Sequence, residues 1–248
     1  MSTETEKVEK TPLNPKDIRR VKIFCIIIGT INILCVILMT IFWSIYDYLI
    51  ILGLGMLTTV PAFFANAGMT FAGTYRGVGR PIDGGRNFID GKRILGNGKT
   101  WKGFLGGILI GSTLSWLLFL VYLALQIGLP PPGSVRWLQV HQVTRTEIFN
   151  IFIAPPPLNL ILRTILLSVG ACVGDLVGSF FKRRFKRERG TQFPLLDQLD
   201  FLLMAYLFAY AFFPIRWYYI LVISIFTPLV AILANIIAYA IGKKDVPW

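Results

Sequence analysis

Three carboxylates, Asp175, Asp197 and Asp200, sit inside or at the edge of strongly apolar segments. Asp197 and Asp200 are three positions apart, so on a helix they share one face. Between Asp175 and Asp197 lies a run of six cations: Lys182, Arg183, Arg184, Lys186, Arg187 and Arg189. A charge at the bilayer centre costs about 2.5–3.5 kcal/mol, so carboxylates in such segments need neutralising. One solution is a divalent metal. Mg²⁺ takes one or two carboxylates together with substrate phosphates, and a dense cationic patch beside it suits a polyphosphate. The other solution is a structural ion-pair network with Lys182, Arg183 and their neighbours. Lys182 and Arg183 lie nearest Asp175 and are the cations expected to face a site. Arg187 and Arg189 are expected to be solvated, since any cytoplasmic helix end collects Lys and Arg for topology alone.

A second chemical stretch, GKRILGNGKTWKG, spans residues 91–103. Its GNGKT ends like a phosphate-binding P-loop, but the pattern needs glycine where the chain has Arg93, and no strand precedes it. The P-loop fold is therefore rejected. The underlying physics survives, because a glycine-rich turn entering a helix exposes backbone N–H groups to an anion. Gly96, Gly98, Lys99, Thr100 and Lys102, with Arg93 upstream, are the candidate nucleotide or phosphate contacts, and Asn66, near the end of an apolar run, joins them. Asn66 could equally satisfy a neighbouring backbone group. His141, the one histidine, falls in a loop on the far side from these charges. No Ser-His-Asp or Cys-His arrangement is present in the sequence, so the chemistry has to work by metal ions and positioned cations.

The elements that hold these residues are membrane helices. Of the 248 residues, 54% are hydrophobic and 15% charged, against about 45–50% and 25% in soluble domains, and the mean hydropathy is +0.63. The apolar residues fall into runs at 23–46, 48–70, 103–127, 158–181, 197–213 and 217–241. Runs near 20 residues mean helices rather than a barrel. The expected fold is an all-α, polytopic bundle of six transmembrane helices, with residues 1–22 as a flexible cytoplasmic arm and 23–248 as one membrane domain. Pro61 is expected to kink the second helix, and the small residues of GFLGGILIG let a neighbour approach the third closely. Asp175 should lie roughly 9 Å from the end of its run.

Six crossings put both termini on one side. Of the 25 Lys and Arg, all but Arg136, Arg145, Arg163 and Arg216 fall on that side, which places the termini and both basic loops in the cytoplasm. The net charge of +12 therefore reflects orientation and anionic lipid or nucleotide, with no nucleic acid implied. Cys25, Cys35 and Cys172 lie within apolar runs as thiols, without a disulfide framework. A rival reading is an ion-coupled transporter using the intramembrane aspartates. Against it, the outer half of the chain carries almost no polar groups.

With these residues in view, the chain resembles the archaeal CDP-archaeol synthases, membrane CTP-dependent cytidylyltransferases. The likeness runs from about Val60 to Trp248 and rests on PAFFANAG, PIDGGRNFIDGKRILGNGKTWKGF, GDLVGSFFKRR, PLLDQLDF and NIIAYAIGKKDVPW. The resemblance implies transfer of CMP from CTP to an unsaturated diether lipid, 2,3-bis-O-(geranylgeranyl)glyceryl phosphate, with release of pyrophosphate. It implies Asp175, Asp197 and Asp200 as metal-binding acids for Mg²⁺, with or without a second cation. Lys182 and Arg183 match phosphate-binding cations, Lys182 with a catalytic role, and Gly96–Lys102 matches the nucleotide side. Asn97 stands where the family often has an acid. The helix at 23–46 is an addition to a five-helix core, a candidate lid, anchor or homodimer contact. The site is expected in the cell membrane, facing the cytoplasm.

Overall fold

The computed structural model describes residues 15–77, 79–128, 157–185 and 195–240. Among them the chain is wholly helical apart from turns and two isolated bridges. In order the helices are α1 Pro15–Phe42, α2 Ile45–Thr74, α3 Trp101–Gly128, α4 Pro157–Arg184, α5 Leu196–Tyr210 and α6 Trp217–Ala240. Five of the six are long and apolar enough to cross a membrane. The exception is α5, whose 15 residues extend about 22 Å, short of the roughly 30 Å hydrocarbon core.

Several expected boundaries move. Residues 15–22, expected in the arm, form the first turns of α1, and residues 1–14 lie outside the described residues. The turn after α1 comes earlier than Asp47. Ser44 caps α2, its hydroxyl accepting from the Tyr46 N–H at 3.2 Å, and Asp47 falls in the first turn, where its charge suits the helix dipole. The helix α2 is continuous through Pro61. Helix α4 runs on to Arg184, so Asp175 is deeper in its helix than the apolar run alone suggests. His141, Lys186, Arg187, Arg189 and the tail from 241 lie outside the described residues.

Two seams of small residues hold the bundle. On α3, Gly103, Gly107 and Gly111 face α2. A Cβ at Gly107 would press on Met69 and come within 2.9 Å of the Ala65 carbonyl, and one at Gly111 would lie 2.7 Å from Ala65 Cβ. On α4, Gly170, Gly174 and Gly178 face α5. A Cβ at Gly170 would meet Ala205 Cα at 2.7 Å, and one at Gly174 would meet Phe201 Cα at 2.7 Å. Between lipid-soluble helices van der Waals packing is the main attraction, so backbones at this distance are the source of stability. The most extensive packing is α2 on α3 and α4 on α5. The buried centre joins Ala62 and Ala65 of α2, Leu167 and Ala171 of α4, and Leu202 and Ala205 of α5.

Helix α1 stands at the edge, mostly exposed, and packs on α6 and α2. A polar link inward is Asn32, 6% exposed. The Asn32 Nδ2 donates to Ile28 O at 2.9 Å and to Ile225 O at 3.0 Å. Pro228 of α6 has no N–H for the carbonyl of residue 224, so Asn32 supplies a donor beside the gap in that ladder.

Candidate active site

The segment between α2 and α3 is a folded loop of nested turns. Its outer pairing is Ile82 N–H to Lys99 O at 2.9 Å and Trp101 N–H to Arg80 O at 3.1 Å. Its inner pairing is Phe88 N–H to Lys92 O at 2.7 Å and Ile94 N–H to Arg86 O at 3.2 Å. The two halves are joined by Asp83, whose side chain is fully buried. Its oxygens accept from Gly85 N–H, Leu95 N–H and Gly96 N–H at 3.1, 3.1 and 2.9 Å. They also accept from Arg93 Nε at 3.2 Å and Nη2 at 2.8 Å. Burial alone would favour the neutral acid. The Arg93 bonds and the Gly96, Gly85 and Leu95 amides outweigh it and hold the Asp83 carboxyl well below the usual carboxylate range.

The basic end of α4 grips the same loop. Arg183 Nε donates to Leu95 O at 3.4 Å, and its guanidinium lies against Gly96, whose φ of 105° is open to glycine and rarely to other residues. Arg184 Nη2 donates to Arg93 O at 2.6 Å, and Nη1 pairs with Asp90 Oδ1 at 3.0 Å. In return Lys92 Nζ donates to Arg184 O at 3.2 Å, satisfying a carbonyl at the end of α4.

This docking carries the far end of the loop to the acids. Lys99 Nζ meets Asp175 Oδ2 at 2.5 Å. Thr100 caps α3, its hydroxyl accepting from Gly103 N–H at 3.1 Å. Around them is a cavity of about 70 Å³ lined by Asn66, Thr70, Gly98, Lys99, Thr100 and Asp175. On the other flank Lys182 Nζ pairs with Asp197 Oδ1 at 2.6 Å. Asp200 lies between. Its Oδ2 rests where a Cβ of Gly178 would be, one turn along α4 from Asp175 and one turn short of Lys182. The four paired side chains of these two bridges are about a quarter exposed, 21–27%, so their ion pairs are open to a competing anion or cation.

The structure thus gathers Asn66, Gly98, Lys99, Thr100 and Asp175 at one cavity, with Lys182, Asp197 and Asp200 on the adjoining face of α4 and α5. Three placements bear on the expected site. Arg93 is committed to Asp83 and braces the loop, because a buried carboxylate needs a charged partner. Lys102 turns away and donates to the Tyr75 and Gly77 carbonyls beyond the end of α2, where exposed C=O groups attract a cation. The three aspartates do not form one cage. Among the described residues no three His, Cys, Asp or Glu side chains converge on one point, and Asp175 and Asp197 are each paired with a lysine. The donor set does fit a hard cation held by two carboxylates and completed by substrate oxygens, which is how Mg²⁺ is commonly bound.

Sequence reasoning passed over Asp83, Arg184 and Gly178. Asp83 had a signal, an Asp-Gly-Gly turn. Arg184 and Gly178 had none separate from the basic run and the apolar helix around them.

Comparison with known proteins decides the family. Residues 46–130 and 133–248 match the CarS-like family, described as CDP-archaeol synthase. The chain belongs to the CDP-archaeol synthase family. Relatives in that family include the CDP-archaeol synthase of Methanocaldococcus jannaschii, 41% identical over 193 residues that make up 76% of this chain and 93% of that protein. The protein of the same description from Thermococcus gammatolerans is 43% identical over 191 residues, 76% of this chain and 92% of its own. A solved structure of an intramembrane enzyme for archaeal membrane lipid biosynthesis aligns with a TM-score of 0.52 at 31% identity, covering 73% of this chain and 92% of that one. The family match begins at residue 46, so α1 lies outside it.

Proposed function

We propose that the chain is a cytidylyltransferase that moves CMP from CTP to 2,3-bis-O-(geranylgeranyl)glyceryl phosphate, forming CDP-archaeol and pyrophosphate at the cytoplasmic face of the cell membrane. Membership of the CDP-archaeol synthase family supports the reaction class. The observation that carries the residue roles is the meeting of Lys99 and Asp175 at a polar cavity between otherwise apolar helices. The clustering of Lys and Arg in residues 71–102 and 182–192, after α2 and at the end of α4, supports a cytoplasmic orientation of those stretches. Neither the fold nor the family supports the transporter reading.

The lipid phosphate is already an anion and needs no general base. One of its oxygens forms a bond to the α-phosphorus of CTP while the bond to the β-phosphate oxygen breaks, and the electron pair leaves with pyrophosphate. The obstacle is repulsion between an anion and a triphosphate. Lys99, Lys182 and Arg183 offset it by placing positive charge beside the reacting phosphates. Gly98 lines the cavity, where a phosphate can approach the backbone. A bound divalent cation, held by Asp175 and Asp200, would supply Lewis-acid stabilisation of phosphate oxygens. In this reading Asp197 fixes Lys182, and Asn66 orients a polar group of the substrate at the cavity wall.

The test is direct. Purified protein is incubated with labelled CTP, Mg²⁺ and the diether lipid phosphate, and CDP-lipid is separated from CTP. Formation of labelled CDP-lipid with pyrophosphate is expected, and folded protein that forms none would overturn the reading.

A further inference from the structure

The most exposed large apolar side chain among the described residues belongs to neither a helix nor the cavity. It is Ile89, 95% exposed, at the corner of the tight turn Phe88–Gly91. Turn corners of this kind usually carry Gly, Pro, Asn, Asp or Ser, and an isoleucine there gains nothing from water. The turn is firmly built. Gly91 N–H donates to Phe88 O at 2.9 Å, and Lys92 N–H donates to Asp90 Oδ1 at 3.1 Å.

Its place relative to the helices is equally well defined. The Phe88 ring meets Phe180 of α4 edge-on, with centroids 5.3 Å apart. The Arg184 guanidinium covers both rings at 4.9 and 4.8 Å while pairing with Asp90. The turn is therefore fixed alongside the last turn of α4, where a membrane-crossing helix ends. At that level α4 itself exposes Phe181 and Phe185, at 44% and 60%, and Phe88 is 40% exposed. Exposed aromatic and aliphatic side chains at the end of a span, with cations beside them, belong to the boundary between headgroups and acyl chains.

We propose that the Phe88–Ile89 turn is a membrane-surface anchor that inserts Ile89 and the edge of Phe88 into the acyl boundary of the bilayer, continuous with Phe181 and Phe185. The occupant of this surface is bilayer lipid. The anchor ties the inner half of the glycine-rich loop to the membrane plane and, through Asp83 and Arg183, holds Gly96–Lys99 at headgroup depth. The proposal rests on α4 crossing the membrane and stands independently of the reaction assigned above.

The experiment uses the full chain in liposomes of neutral and anionic phospholipid. A nitroxide label is attached through Ile89→Cys in a background with Cys25, Cys35 and Cys172 replaced by alanine, and a second label through Arg86→Cys is the control. Collision with oxygen, which concentrates in lipid, is compared with collision with a water-soluble nickel chelate. The expected result is an oxygen-to-nickel ratio at position 89 well above that at position 86. A ratio no higher than the control puts the turn in water and overturns the proposal. Protection from both reagents also overturns it, since that means protein, including a second copy, covers the turn. If the cysteine-free chain does not fold, Ile89→Trp is compared with the parent chain. The added emission should be quenched by brominated lipid, and quenching by aqueous iodide instead would reject the anchor.

Discussion

Lys99, at the end of the glycine-rich loop, and Asp175, in the middle of α4, meet at 2.5 Å across a separation of 76 positions. This contact joins the glycine-rich loop to α4. It also makes Asp175 tolerable within a membrane helix. In the proposed reading, replacing Lys99 by methionine removes a charge from the reacting phosphates, and it leaves Asp175 without that partner. The expected outcome is a fall in kcat on the order of 100- to 1,000-fold, as for loss of one preorganised donor. Steady-state assays with labelled CTP measure it, and a thermal-unfolding trace shows that the protein remains folded.

The α4–α5 seam predicts a contrast between two similar substitutions. A methyl at Gly174 would collide with the Asp200 carbonyl and lie 2.7 Å from Phe201 Cα. Backbone cannot give way, so Gly174→Ala should destabilise the protein by about 1–3 kcal/mol or more. A methyl at Gly178 instead displaces the Asp200 carboxylate, the end of a side chain. Gly178→Ala should keep most of the stability and lose most of the turnover. Measuring the thermal midpoint and kcat of both variants checks the pair. Equal effects on both quantities would show that the seam does not position Asp200.

Asp83 makes a prediction about pH. Its folded-state pKa is depressed below the unfolded value near 3.9. A depressed pKa adds stability that is fully present above the unfolded value and is lost as the pH falls toward the folded one. Hydrogen-exchange protection of Leu95 and Gly96 should therefore be flat from pH 8 to about 5 as far as this group is concerned, and should weaken only below about 4. Asp83→Ala leaves Arg93 and three backbone N–H groups without their acceptor. It should expose residues 82–96 to protease at neutral pH and cut turnover through the displaced Lys99.

Helix α1 lies outside the family match, which begins at residue 46. A chain beginning at Ser44 should retain CTP turnover within a few-fold. Its thermal midpoint should fall, because Ile225 loses the Asn32 donor beside the Pro228 gap. Loss of all turnover in a folded truncate would make α1 part of the reaction.

The helical membrane class, most span positions and the family were legible in the sequence. The physical reason is that hydrocarbon demands long apolar runs with every backbone group bonded internally, and such runs are visible without a structure. Asp175, Asp197 and Asp200 stand out because charge is expensive in apolar runs, Lys99 because it sits in a glycine-rich turn entering a helix, and Lys182 because it lies near Asp175. Tertiary structure decided which cation serves which acid. Arg93 and Lys102 looked like Lys99 in sequence, equally basic and equally close to glycines. Their roles differ because Asp83 is buried beneath one and the end of α2 lies beside the other. Gly178 looked like any small residue in a membrane helix until α5 was laid across it and brought Asp200 to the face shared by Asp175 and Lys182. Partner choice depends on distances between segments far apart in the chain, and no local pattern carries that information.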